Sequence, residues 1–172
     1  PGPITPLIAE TGGQNALIVD SSALPEQVVK DVIASSFLSA GQRCSALRVL
    51  FLQEETADRI IEMLAGGMQE LAIGDPALLS TDIGPVIDEE ARDVLQAHAD
   101  RLDREAKCLY RCELGPHTDG GSFFAPVAYE IDSLSQLDRE VFGPILHVIR
   151  YKESALDDVI AAINGTGYGL TA

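Results

Sequence analysis

Two short stretches carry side chains able to do chemistry. "AETGGQN", residues 9–15, sets Glu10 directly before a glycine pair, and "SAGQRCSA", residues 39–46, sets Cys44 in a small, polar loop. A free cysteine is often no more than a small buried hydrophobe. Here Gly41, Gln42, Arg43 and Ser45 surround it with small or polar neighbours, which argues against a loop packed shut. Arg43 adds a cation next to the thiol, and a nearby cation favours the thiolate. Backbone N–H groups freed by such a loop can stabilise an oxyanion forming beside the sulfur. Glu10 has two readings: a strand-end carboxylate in water, or a general base in a partly apolar cleft that activates a water. A nucleophile with a separate water-activating base is the equipment of covalent acyl transfer. Residue types and spacing carry the reading no further.

These residues must be held by something. "NALIVD", residues 15–20, predicts a short buried strand, and Pro25 suits the first turn of a helix running from Pro25 to Ser36 with Val28, Val29, Val32 and Ile33 on one face. "SALRVLFLQ" predicts a strand ending near Gln53. A second amphipathic helix follows, with Ile60, Ile61, Leu64, Met68 and Leu71 inward, and Met63 and Met68 filling core. A third helix, 88–107, is studded with charge, and Ala91, Val94, Leu95 and Leu102 are its expected inner residues. Strands are expected at 108–112, 123–129 and 145–151, a last helix at 155–163, and one more strand after the glycine-rich turn near the end. Strands alternating with helices predict an α/β domain with a mostly parallel sheet flanked by helices.

The chain has 172 residues, 46% hydrophobic and 23% charged, an ordinary globular composition that fits one domain, 1–172. A net charge of −15 repels nucleic-acid phosphates, so no nucleic-acid partner is expected for this segment. No apolar run has the length a membrane span needs. Three cysteines without a C-x-x-C pair do not make a secreted disulfide framework, so a reducing, cytoplasmic setting is expected. The rigid, apolar start and the ending just past a glycine-rich turn predict a piece truncated at both ends.

"ETGGQN" followed by "SAGQRCSA" resembles the glutamate and cysteine motifs of the aldehyde dehydrogenase superfamily, and "EVFGP", residues 140–144, resembles a third signature in the family's order. Within the superfamily, "AETGGQNALIVDSSALPEQVV", "SAGQRCSALRVL" and "REVFGPILHVIRY" look like the L-glutamate γ-semialdehyde (1-pyrroline-5-carboxylate) dehydrogenase branch, as found in a bacterial bifunctional proline-catabolic enzyme. The resemblance implies the catalytic-domain portion of an aldehyde dehydrogenase fold. It implies Cys44 as the nucleophile that forms a thiohemiacetal and then a thioester, and Glu10 as the base for its hydrolysis. It further implies Glu140 at the nicotinamide ribose of NAD, Phe142 as the aromatic beside it, and Ser45 at the substrate pocket.

The cofactor-binding Rossmann-like domain precedes this segment in the family, and no G-x-G-x-x-G occurs here; the segment alone is therefore expected to be inactive. A homo-oligomeric parent is expected, with FAD in a separate proline dehydrogenase domain if that parent is bifunctional. "FFAPVAYE" departs from many family members by carrying Val127 where they have threonine.

Rival readings are an aldehyde dehydrogenase of another substrate branch, a non-catalytic scaffold, and a thiol hydrolase, which would need a histidine partner for Cys44. His98, Cys108, Cys112 and His117 have the spacing H-x9-C-x3-C-x4-H, not a common zinc pattern, so no metal is expected and Cys108 and Cys112 are taken as structural residues sharing a strand face. His147 is expected to pack beside Ile145 and Ile149.

Overall fold

The structure is a computed structural model that describes residues 4–9 and 11–172. Its centre is a five-stranded sheet with strands β1 (Ala16–Val19), β2 (Val49–Gln53), β3 (Lys107–Arg111), β4 (Val127–Glu130) and β5 (Ile145–Tyr151), in the order β1-β2-β5-β4-β3. The pairings β1–β2, β2–β5 and β5–β4 are parallel, and β3 joins β4 antiparallel at an edge. Four α-helices complete the frame: α1 (Pro25–Ser36), α2 (Glu54–Gln69), α3 (Glu89–Glu105) and α4 (Leu156–Asn164). The mostly parallel α/β arrangement agrees with the expectation.

Central strands covered on both faces need apolar residues at every position rather than alternate ones. β2, "VLFLQ", is buried throughout, and β5 is buried except at Arg150. His147 and Tyr129, partners across β5 and β4, both reach α3 through His98 and through the Ala99 carbonyl. Arg150 and Glu130, of the opposite parity, form an ion pair, and Arg150 also meets Asp58 of α2. Helices therefore lie on both faces, with α1 and α2 packed on each other.

Several expectations shift for physical reasons. In α3 the buried stripe is Leu95, Ala99 and Leu102, spaced i, i+4, i+7; Ala91 is only partly buried. Val94 lies off that stripe and is 43% exposed. Asp88 caps this helix, accepting from Ala91 N–H at 2.8 Å. The strand expected from Phe123 begins only at Val127, because Pro126 has no N–H to give a ladder. Cys108 and Cys112 do not share an environment: a register shift between Cys108 and Tyr110 breaks the alternation, leaving Cys108 exposed and Cys112 buried. Residues 165–172 form turns and irregular chain, not a strand. Met68 is buried and Met63 packs against the core, as expected.

Candidate functional site: the Cys44 turn and its anchors

Between α1 and β2 the chain makes a left-handed turn, with φ of 58° at Ser39, 52° at Ala40 and 64° at Gly41. Such a conformation costs about 1–2 kcal/mol for a non-glycine residue, so surrounding contacts must impose it. The chain then forms a tight turn closed by Ala46 N–H donating to the Arg43 carbonyl at 3.0 Å. Cys44 and Ser45 occupy its exposed tip. The Arg43 guanidinium donates from Nη2 to the Ala34 and Ser35 carbonyls at 2.8 and 3.1 Å. It thus serves the C-terminal end of α1, where a cation is favoured.

Two buried side chains hold the turn. Asn15 donates from Nδ2 to the Cys44 carbonyl at 2.7 Å and to the Ala46 carbonyl at 2.8 Å. Arg48 donates to the Gly41 carbonyl from Nη1 at 2.7 Å and to the Arg43 carbonyl from Nη2 at 3.3 Å. The same guanidinium reaches Glu140 Oε1 from Nε and Nη2, both at 3.1 Å, and the Gly143 carbonyl at 3.0 Å. Burial lowers the basicity of Arg48 and the Glu140 carboxylate opposes that effect. Glu140 Oε2 accepts from Gly13 N–H at 2.9 Å. A side chain on Gly12 would collide with the Glu140 carboxylate, so this approach requires glycine.

The site residues expected from sequence divide accordingly. Cys44 is exposed on the turn, Ser45 lies beside it, and Glu140 sits beneath Gly12 and Gly13. Phe142 is 42% exposed, with the Arg48 guanidinium carbon 5.1 Å from its ring centroid. Ser45 lines a cleft of about 300 Å³ with Asp31, Ser35 and Thr171. Glu10 lies outside the described residues. The segment that follows it, through Gly13 and Asn15, is bound to the Glu140 carboxylate and to the Cys44 turn.

The other cysteines have a different chemistry. Cys112 is buried, its thiol donates to the Met68 carbonyl at 3.3 Å, and burial pushes its pKa up to about 11. Desolvation also raises the Cys108 thiol. Among the described residues no group of three His, Cys, Asp or Glu side chains is placed to hold a metal ion.

Sequence reasoning missed two features. The first is Arg48, whose only signal was a charge inside the apolar run "SALRVLFL"; a buried charge demands partners. The second is a histidine pair, His98 Nε2 to His147 Nε2 at 2.9 Å. His147 is buried as expected, and its Nδ1 lies 3.0 Å from the Arg48 carbonyl. That carbonyl can only accept, which assigns the proton to His147 Nδ1 and makes His98 the donor between the rings. Burial first, then neighbouring positive charge, lowers His98 to about 4 and His147 to about 3. Arg101 and Arg139 act on His98 in that sense, opposed by Asp138 and Glu105.

Both folded pKa values lie below the unfolded value near 6.5, so the unfolded chain binds more protons between them. Stability is therefore expected to be full above about pH 6.5 and to fall as pH drops towards 4, by on the order of 3 kcal/mol for His147. Denaturant midpoints measured at pH 7.5, 6 and 5 are expected to decline, and less steeply in His147→Leu. Equal slopes would contradict the neutral pair.

The aldehyde dehydrogenase family model matches residues 2–172. The chain belongs to the aldehyde dehydrogenase family. It is 54% identical over 172 residues to the bifunctional protein PutA of Klebsiella aerogenes, covering 97% of this chain and 13% of that protein. It is 32% identical over 167 residues to the 1-pyrroline-5-carboxylate dehydrogenase of Bacillus thuringiensis, covering 96% of this chain and 32% of the relative. A crystal structure of the Bradyrhizobium japonicum proline utilization A (PutA) mutant D779W superposes with a TM-score of 0.93 at 55% identity, covering 98% of this chain and 17% of that one. The chain thus spans a small part of the PutA proteins it matches. Among the described residues, no helix of this family member is long and apolar enough to cross a membrane.

Proposed function

We propose that this chain is the cysteine-bearing part of a cytoplasmic, NAD-dependent dehydrogenase that oxidises L-glutamate γ-semialdehyde to L-glutamate in proline catabolism. One observation carries the reading: the exposed Cys44 turn is tied to the glycine segment after Glu10 through Asn15, and to Glu140 through Arg48. Three motifs distant in sequence converge on one place. The similarity to PutA and to a 1-pyrroline-5-carboxylate dehydrogenase supports this substrate over a simple aldehyde.

In this mechanism the Cys44 thiolate adds to the aldehyde carbon, and the carbonyl oxygen becomes the oxyanion of a thiohemiacetal. The Cys44 backbone N–H is the local donor for that charge. Bound NAD supplies the acceptor for the hydride that leaves the same carbon. The product on Cys44 is a thioester. Glu10 takes a proton from water, the hydroxide attacks the acyl carbon, and the C–S bond breaks to return the thiolate and release the new carboxylate.

The Glu140 carboxylate fits a ribose hydroxyl. Its oxygens offer about four acceptor directions, of which Arg48 and Gly13 take three. One direction on Oε2 remains. The exposed face of Phe142 adjoins it through Arg48, and Ser45 borders the acyl-accepting side of the turn. A dinucleotide-binding domain elsewhere in the same polypeptide would complete the cofactor site, in a homo-oligomer. A flavin-dependent proline-oxidising domain would supply the semialdehyde.

The test is NADH formation by the full-length protein with NAD and L-glutamate γ-semialdehyde, run beside simple aliphatic aldehydes. The semialdehyde is expected to be turned over with kcat/KM at least about a hundredfold higher, a floor well under the factor of about 10⁴–10⁵ by which a site built to hydrogen-bond a polar group rejects analogues lacking it. Equal or better turnover of the simple aldehydes would overturn the substrate. No turnover by a folded, NAD-binding protein would leave a scaffold.

A further inference from the structure

Arg48 is 1% exposed and stands at the entry to β2, where the neighbouring residues are apolar core. An Arg guanidinium has five N–H donors in a planar fork. Every one finds an acceptor: Nε on Glu140, Nη1 on Gly41 and Gly143, Nη2 on Arg43 and Glu140. The partners belong to two loops separated by almost a hundred residues. Gly41 and Arg43 lead into the nucleophile turn, whereas Glu140 and Gly143 bracket the exposed ring of Phe142.

Arg48 is itself fixed at the backbone. Its N–H donates to the Asn15 carbonyl at 3.0 Å, and its carbonyl accepts from His147 N–H at 2.9 Å. Asn15 is the side chain that grips the Cys44 turn from the other side.

We infer that Arg48 is a positioning residue that sets the nucleophile turn and the ribose-binding carboxylate in one mutual geometry. The inference rests on the reading of Glu140 proposed above. The Arg48 guanidinium holds Glu140 Oε1 with two N–H donors, which leaves Oε2 as the oxygen directed to ligand. Its grip on the Gly41 and Arg43 carbonyls fixes the entry into the turn three residues and one residue before Cys44. Both functions need the planar fork. A lysine ammonium keeps the charge but offers three donors from one point, too few for five hydrogen bonds to four acceptors spread over two loops.

The test is a cycle in the full-length protein: Arg48→Lys, Arg48→Gln, Glu140→Gln and the double variant R48Q/E140Q. The double variant removes both charges together, so no lone buried charge is left to unfold it. KM for NAD and kcat are read separately, under conditions where a denaturation scan shows each variant folded. Arg48→Lys is expected to raise KM for NAD by about tenfold and to lower kcat by about tenfold, the scale of a lost charge-assisted hydrogen bond.

Arg48→Gln is expected to raise KM in the wild-type background and to add little in the E140Q background. The fall in kcat is expected to persist in both, because it runs through the Cys44 turn. KM and kcat within twofold of wild type in folded Arg48→Lys and R48Q variants, with only a lower melting temperature, would overturn the inference and leave a structural ion pair. KM effects of R48Q and E140Q that add fully would overturn it too. Should Glu140→Gln alone leave KM for NAD unchanged, the ribose role of Glu140 falls instead, a result distinct from the others.

Discussion

Replacing Cys44 by alanine is expected to lower NADH formation by at least about 10⁴-fold while leaving the fold intact. The loss is large because in the proposed mechanism the thiol makes the bond through which every later step passes, and nucleophile deletions cost this much or more. The fold is spared because Cys44 sits at the exposed tip of the turn, and its carbonyl, not its thiol, is held by Asn15. Surface truncations of this kind change stability by about 0.5 kcal/mol or less. Neither remaining cysteine can substitute: Cys112 is buried with its pKa up to about 11, and Cys108 lies on the edge strand β3. Stopped-flow absorbance at the NADH band checks the rate, and a denaturation curve checks the fold. More than a few per cent of residual turnover would remove Cys44 from the chemistry.

Gly41→Ala is expected to destabilise the protein and to impair the same reaction. Gly41 has φ of 64°, and a Cβ there would lie 2.6 Å from the Gly143 carbonyl carbon and 2.8 Å from the Ser36 carbonyl oxygen. Both are backbone atoms, which cannot rotate aside as a side chain does. Left-handed strain of about 1 kcal/mol adds to an overpacking cost of about 1–3 kcal/mol, so a loss of about 2–4 kcal/mol is expected in denaturant unfolding. The collision also pushes apart the two loops that Arg48 joins, because the Gly41 carbonyl is bonded to Arg48 Nη1. A displacement of the order of 1 Å at a reacting group can cost about 10²-fold in rate, and kcat is expected to fall on that scale. Gly41→Ala with wild-type stability and kcat would contradict the packing described.

Much of this frame was legible in the residues. Helix α1 was bounded correctly from Pro25 to Ser36 because proline suits a first turn and Val28, Val29 and Val32 repeat at helical spacing. Strand β5 was bounded correctly because its run of apolar residues is bracketed by Pro144 and Lys152. The left-handed turn was not legible: serine and alanine at 39 and 40 have no preference for positive φ, and tertiary packing imposes it. Val94 was misplaced because several apolar positions in a charged helix leave the stripe undecided until Ala99 packs. The bulge in β3 cannot be seen in "KCLYR", since it depends on the partner strand.

The site followed the same division. The motifs pointed to Cys44, Glu10, Ser45, Glu140 and Phe142; among the described residues, Arg48 joins the Arg43 carbonyl next to Cys44, the Glu140 carboxylate and the Phe142 ring. Arg48 itself was visible only as a charge in an apolar run, and nothing local could name its four acceptors. His98 and His147 are 49 residues apart and meet only because α3 crosses the sheet at β5.

The central claim is that Cys44 carries the acyl group and Glu10 releases it. The direct measurement is mass spectrometry of the acid-quenched full-length Glu10→Gln variant after mixing with NAD and L-glutamate γ-semialdehyde. The predicted result is about one NADH per active site, followed by slow turnover, with a γ-glutamyl group on the peptide containing Cys44. Wild-type turnover in Glu10→Gln, or NADH formation with no acyl group on Cys44, would contradict the account.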